Sequence, residues 1–165
     1  MKRTLVLLVG LLLGGAAEAC QCSYIPLDTK HAQAARNVFV FQLIDAHVDH
    51  DASDSVAGTI KVLAHVRGRT KAKQIRYSTD WCCGSRLEVG KYYIGFLSSD
   101  ATRFDVNAGN VLPLWQEFGR EEADRLEAVL RGKSRLEVAF AYGVDEISSM
   151  RLPPPPCLDK GKETR

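Results

Sequence analysis

Five cysteines hold most of the reactive chemistry open to this 165-residue chain: Cys20 and Cys22 as a C-x-C pair, Cys82 and Cys83 side by side, and Cys157 near the end. Thiols in this number close disulfides in an oxidising compartment, or hold a metal or act catalytically in a reducing one. Zinc held by four thiolates needs two spaced pairs with loops between them, which C-x-C plus C-C fits poorly. A ring closed between the neighbours Cys82 and Cys83 is strained. On an extended segment Cys20 and Cys22 lie on one side and can reach a common wall, whereas Cys82 and Cys83 point opposite ways. A disulfide framework is therefore the first reading, with one thiol left over. Cys157 follows the run Pro153 to Pro156 and is the natural spare, able to link two chains.

Other chemistry is sparser. His47 and His50, with Asp45, Asp49 and Asp51, have the residue types to hold a cation in a loop, but an acidic solvated loop explains the same residues. His31 and His65 stand apart. No serine sits in a G-x-S-x-G setting, and a spare thiol is no nucleophile without a placed base. The chain is not expected to be an enzyme, and no cofactor is expected. Trp81, Tyr92 and Tyr93 have the types for a stacking platform on a sheet face, although alternating aromatics more often fill a core.

The start of the chain decides which cysteine chemistry applies. Lys2 and Arg3, then an apolar stretch from Leu5 to Leu13, then small residues ending in Ala17-Glu18-Ala19 make a signal peptide over residues 1–19, cut after Ala19. Glu18 stands where a lipoprotein signal wants a small or hydroxylic residue, which disfavours a lipid anchor on Cys20. The mature chain then begins at Cys20 in a secreted or periplasmic setting, where disulfides persist. With 22 basic and 20 acidic residues the net charge is +2, too weak to argue for a nucleic-acid partner. No apolar run is long enough for a transmembrane helix. A composition of 45% hydrophobic and 25% charged residues suits one ordinary globular domain.

These residues need elements to position them. Asp28 is placed to cap a short helix over Thr29 to Arg36. Val38 to Val48 reads as a strand with Val38, Val40, Gln42 and Ile44 on one face and Phe39, Phe41 and Leu43 on the other, apolar on both faces at its start. His47 to Ser55 reads as a polar loop. Thr59 to Val66, Gln74 to Ser78, Tyr92 to Leu97 and the short Phe104 to Val106 supply four more strands, with a turn at Asn107 to Asn110. Five strands at this spacing make a small barrel or sandwich. After Pro113 the period changes: Trp115, Phe118, Leu126, Val129 and Leu130 share a helical stripe, with Pro113 in the first turn and Gly132 as the stop. Leu136, Val138, Phe140 and Tyr142 alternate with Glu137, Ala139 and Ala141, which favours an edge strand over a second helix.

The ordered set of features resembles the netrin-like module, and within it the tissue-inhibitor-of-metalloproteinases (TIMP)-like proteins, including small secreted bacterial forms. The residues that carry the likeness are Cys20-Gln21-Cys22, Pro26, a helix, then Asn37-Val38-Phe39-Val40. Val66-Arg67-Gly68, Cys83-Gly84, and Leu87 with Gly90-Lys91-Tyr92-Tyr93-Ile94 continue it. The likeness covers Cys20 to about Leu114. It implies a mainly β, five-stranded barrel of the oligonucleotide/oligosaccharide-binding (OB) type over residues 20–114, with a short N-terminal helix. A C-terminal helical or edge extension over 115–151 would pack on the barrel, followed by a flexible proline-rich tail over 152–165.

The resemblance also implies a pairing and an activity. It joins Cys20 to Cys83, a loop of about 60 residues whose closure contributes roughly 3–4 kcal/mol. The family's partner for the second cysteine follows the fifth strand, where this chain has Asn107-Ala108-Gly109-Asn110 and no cysteine. Cys22 is left to Cys82, to Cys157 or free, and Cys82 needs the least rearrangement. In TIMP-type inhibitors the first residue's α-amine and carbonyl oxygen chelate the catalytic zinc of a metalloprotease, and the next side chain enters its specificity pocket. Those roles fall to Cys20 and Gln21, within an inhibitory segment Cys20-Gln21-Cys22. Gln21 departs from the smaller hydroxylic residue of the animal inhibitors. The expected function is a protein-binding module that inhibits zinc metalloproteases. The alternative is a cell-envelope module binding protein or glycan on its barrel face, with the cysteines purely structural.

Overall fold

The computed structural model describes residue 25 and residues 27–49, 55–79 and 84–144. Cys20, Gln21, Cys22, Trp81, Cys82, Cys83 and Cys157 lie outside the described residues, as do His50, Asp51 and the expected signal peptide and tail.

The described chain is mainly β. In order it forms α1 (Thr29–Ala34), β1 (Asn37–Val48), β2 (Ser55–Arg67), β3 (Gln74–Ser78), β4 (Tyr92–Leu97), β5 (Arg103–Val106), β6 (Val111–Leu114), α2 (Arg120–Leu130) and α3 (Leu136–Ala139). One sheet contains all six strands in the order β5-β3-β2-β1-β4-β6. Every neighbouring pair is antiparallel except β3 and β5, which run parallel with Tyr77 beside Val106. The outermost strands are consecutive in the chain, joined only by Asn107 to Asn110, where the Asn110 amide donates to the Asn107 carbonyl at 3.2 Å. Laid flat, six strands would hold their outer members about 24 Å apart. A β-turn holds its ends within about 7 Å. The sheet therefore curls into a half-barrel. Register shifts in the long β1–β2 pairing, between Val38/Phe39, Val40/Phe41 and Leu43/Asp45, mark where that curl is taken up.

Curling gives the sheet an inside and an outside, and β1 is buried on both. Phe39, Phe41 and Leu43 face inward with Ile60, Ile75, Tyr93, Phe104, Val106 and Val111. Val38 and Val40 face outward into a second core with Ile94, Phe96, Leu112, Leu126, Val129, Leu136 and Phe140. The two-sided apolar pattern of β1 is thus what lets one strand serve both cores. Phe41 stacks on Tyr93 with centroids 5.5 Å apart and meets Phe104 edge-on at 6.0 Å. Gly95 makes room for Phe39, because a Cβ there would lie 2.7 Å from the ring.

Several expectations need correction. The described residues form six strands, not five: Val111–Leu114 is a strand, so Pro113 lies in it and not in a helical first turn. Pro113 is tolerated because β6 is an edge strand bonded only to β4 and needs no second row of amide donors. The helix after it starts only at Arg120. Gly119 caps it, its amide donating to Glu122 Oε2 at 3.0 Å. Leu136 to Tyr142 is no edge strand. Leu136 and Phe140 are buried four residues apart while Val138 is 71% exposed, and Leu136–Ala139 is helical. The polar loop is shorter than His47 to Ser55, since β1 runs through Val48 and β2 begins at Ser55. The first helix ends at Ala34, two residues before Arg36.

Candidate functional site

The described residues nearest the cysteines are Ile25 and Leu27 on one side and Ser78, Thr79, Gly84 and Ser85 on the other. Ile25 lies against the β5–β6 turn so closely that a Cβ on Gly109 would fall 2.2 Å from its carbonyl oxygen. Two residues on, the Leu27 amide donates to the Ala108 carbonyl at 3.0 Å, and the Leu27 side chain is buried. The turn that receives them is well satisfied. Asn107 Oδ1 accepts from the Gly109 amide at 2.8 Å, Asn110 Oδ1 from the Asn107 amide at 3.0 Å, and Asn110 Nδ2 donates to the Asp105 carbonyl at 2.8 Å. Ile25 and Leu27 are thereby laid on one end of the half-barrel.

The described residues on either side of Cys82 and Cys83 lie at that same end. β3 ends at Ser78, and Gly84 and Ser85 are both buried, with the Ser85 amide donating to the Ser78 carbonyl at 2.8 Å. Because β3 and β5 are parallel, the end of β3 lies beside the end of β5, from which the Asn107 turn springs. The flanks of Cys20 and Cys22 and the flanks of Cys82 and Cys83 thus converge on one rim.

The remaining sequence candidates do not assemble. Among the described residues no group of three or more His, Cys, Asp or Glu side chains could hold a metal ion. His47 Nδ1 stands 3.7 Å from Asp45 Oδ1, both exposed, while Asp49 faces Arg76 Nε at 3.2 Å. Tyr93 is buried, its hydroxyl accepting from the Glu88 amide at 2.8 Å. The Tyr92 hydroxyl donates to Glu117 Oε1 at 2.7 Å, and that carboxylate raises the phenol above its usual range. Tyr93 is therefore part of the core, whereas Tyr92 is half-buried with its hydroxyl held by Glu117. Among the described residues no helix is long and apolar enough to cross a membrane.

What the sequence reading missed is an aromatic groove at the far end of β6 from the turn. Trp115, assigned above to a helical stripe, precedes the helix and is 71% exposed. Its ring lies 3.8 Å from that of Tyr142, tilted by 51°. The pair opens onto a cavity of about 500 Å³ whose walls include Pro113, Gln116, Arg125 and Val138. Beneath it Glu122 accepts from Gln116 Nε2 at 2.9 Å, and that bond, with the Gly119 amide, holds its carboxyl below the usual range. The signal for an exposed Trp115 was its place directly after a strand end, outside the stretch of α2. No protein-family model matches this chain, and no curated protein matches its sequence.

Proposed function

We propose that the mature chain is an exported TIMP-like, netrin-type protein-binding module that inhibits zinc metalloproteases through the α-amine and carbonyl oxygen of Cys20. The observation that carries the reading is the convergence at one rim. The described neighbours of Cys20 and Cys22 rest on the Asn107–Asn110 turn, and those of Cys82 and Cys83 leave and rejoin the barrel beside it. Bridges from Cys20 to Cys83 and from Cys22 to Cys82 are consistent with that placement. An OB-type barrel is supported by the strand order, with β1 between β2 and β4 and a parallel β3–β5 pair. In this reading residues 103–114 act as a fifth strand in two pieces, β5 bonded to β3 and β6 to β4.

The chemistry follows from the terminus. Near pH 7.5 about a third of an ordinary α-amine is neutral and able to donate to zinc. A catalytic zinc keeps one position for water, which an amine and its own carbonyl oxygen can displace. A bridge at Cys20 holds both donors rigid and lowers the ordering cost of binding. Gln21 would then enter the specificity pocket. The test is inhibition of a panel of zinc metalloproteases by oxidised mature protein starting at Cys20, beside a form carrying one extra alanine before it. Inhibition abolished by that alanine supports the terminal amine as ligand. No inhibition by either form overturns the reading and turns attention to the barrel face.

A further inference from the structure

We infer that the Trp115–Tyr142 groove is a polyproline-binding surface whose occupant is the chain's own Pro153–Pro156 segment. Three observations lead there. The groove is aromatic, open and built beside a proline. Trp115 is 71% exposed, with Tyr142 packed against its ring and Pro113 in the wall. Its polar lining includes the donor-bearing side chains of Trp115, Arg125 and Gln116, the last two keeping N–H groups beyond those given to Glu121 and to Glu122, the one carboxylate in the lining. A proline run offers flat apolar rings and backbone carbonyls and has no N–H to satisfy, so ring stacking and acceptance from those donors match it on both counts.

The second observation is position. The described chain ends at Val144, and Gly143 is pressed onto β6, where a Cβ would lie 2.7 Å from the Pro113 carbonyl oxygen. The last described residues therefore lie at the groove's own wall. Residues 145–152 separate it from Pro153, a reach of up to about 30 Å, ample for a return to the groove. The third is composition: four consecutive prolines favour the polyproline II form before binding, so little conformational freedom is lost on docking. Tethering by so short a link sets an effective concentration in the millimolar range. An intrinsic dissociation constant of about 0.1 mM then leaves roughly nine-tenths of the tail docked.

Nuclear magnetic resonance on the full mature chain tests this directly. Nuclear Overhauser contacts are expected between the Trp115 ring and proline ring protons of Pro153–Pro156, independent of protein concentration. Changing Pro153→Ser, Pro154→Ser, Pro155→Ser and Pro156→Ser together should abolish them and shift the Trp115 indole resonance. In parallel, Trp115→Ala should speed tryptic cleavage after Arg151 by about tenfold, since cleavage tracks the undocked fraction. Should Trp115→Ala fail to fold, the serine variant decides alone because it leaves the groove intact. Absent contacts together with an unmoved indole resonance overturn the inference. Contacts that fade on dilution also overturn it, because they assign the groove to the tail of a second copy.

Discussion

Asp28 shows how much one short side chain sets locally. Its Oδ1 accepts from the His31 amide at 2.8 Å, capping α1, and that bond is the main reason its carboxyl sits below the usual range. A lowered carboxyl contributes stability that is complete above its unfolded value near 4 and is lost as pH falls through the folded one. Asp28→Ala should cost about 1 kcal/mol in urea denaturation at pH 7. Asp28→Asn should keep most of the cap while flattening the acid limb of the stability profile. Two glycines separate backbone conformation from crowding. Gly68 has φ of 64° and a Cβ there would lie 2.3 Å from Asn37 Oδ1, whereas Gly90 has φ of 88° with nothing within 4 Å. Gly90→Ala is expected to cost about 1 kcal/mol and Gly68→Ala about 3 kcal/mol, read from the shift in denaturation midpoint.

Between elements, Arg67 joins what the chain order separates. From the end of β2 its Nη1 donates to the Gln33 and Ala35 carbonyls at 2.6 and 3.3 Å, and its Nη2 to the Leu130 carbonyl at 3.1 Å. One guanidinium thus satisfies the C-terminal carbonyls of both α1 and α2, which have no partners within their own helices. Arg67→Met should lose about 2 kcal/mol by thermal or urea unfolding, and Arg67→Lys should recover only part, lacking the fork that spans both helices. Gln74 to Ser78 was legible because period-two burial is a local consequence of the pleat, and Tyr92 to Leu97 because a short apolar run rich in aromatics suits a strand buried on both faces; both appear with the predicted bounds. The misread Leu136 to Tyr142 failed for the complementary reason. Its alternation is chance, and its helical start is imposed by Thr29, whose hydroxyl accepts from the Leu136 amide at 2.9 Å and donates to Glu137 at 3.0 Å. No pattern within seven residues reports a partner more than a hundred positions away.

At the scale of the whole molecule, stability rests on two cores that share β1. Phe41 is fully buried and touches Tyr93 and Phe104, so Phe41→Ala should cost about 3–5 kcal/mol in chemical denaturation. Leu63→Ala, at a residue 43% exposed, should stay within about 1 kcal/mol. The proposed bridges make a separate prediction: thiol titration of denatured, unreduced mature protein should find one free thiol, and reduction should lower the denaturation midpoint.

By itself the sequence determined what depends on near neighbours: the Asp28 cap, the two-faced β1, the bounds of β3 and β4, and the mainly β class. Only the tertiary structure decided what depends on closure. The curl that brings β5 and β6 to adjoining edges, the strand containing Pro113, and the rim where the cysteine flanks meet all follow from pairing between distant segments. The same holds for Trp115. Its chemical type suits a core, and its exposure was decided by where β6 ends and α2 begins. Local patterns report which face of an element is apolar; only packing determines whether another element arrives to cover it.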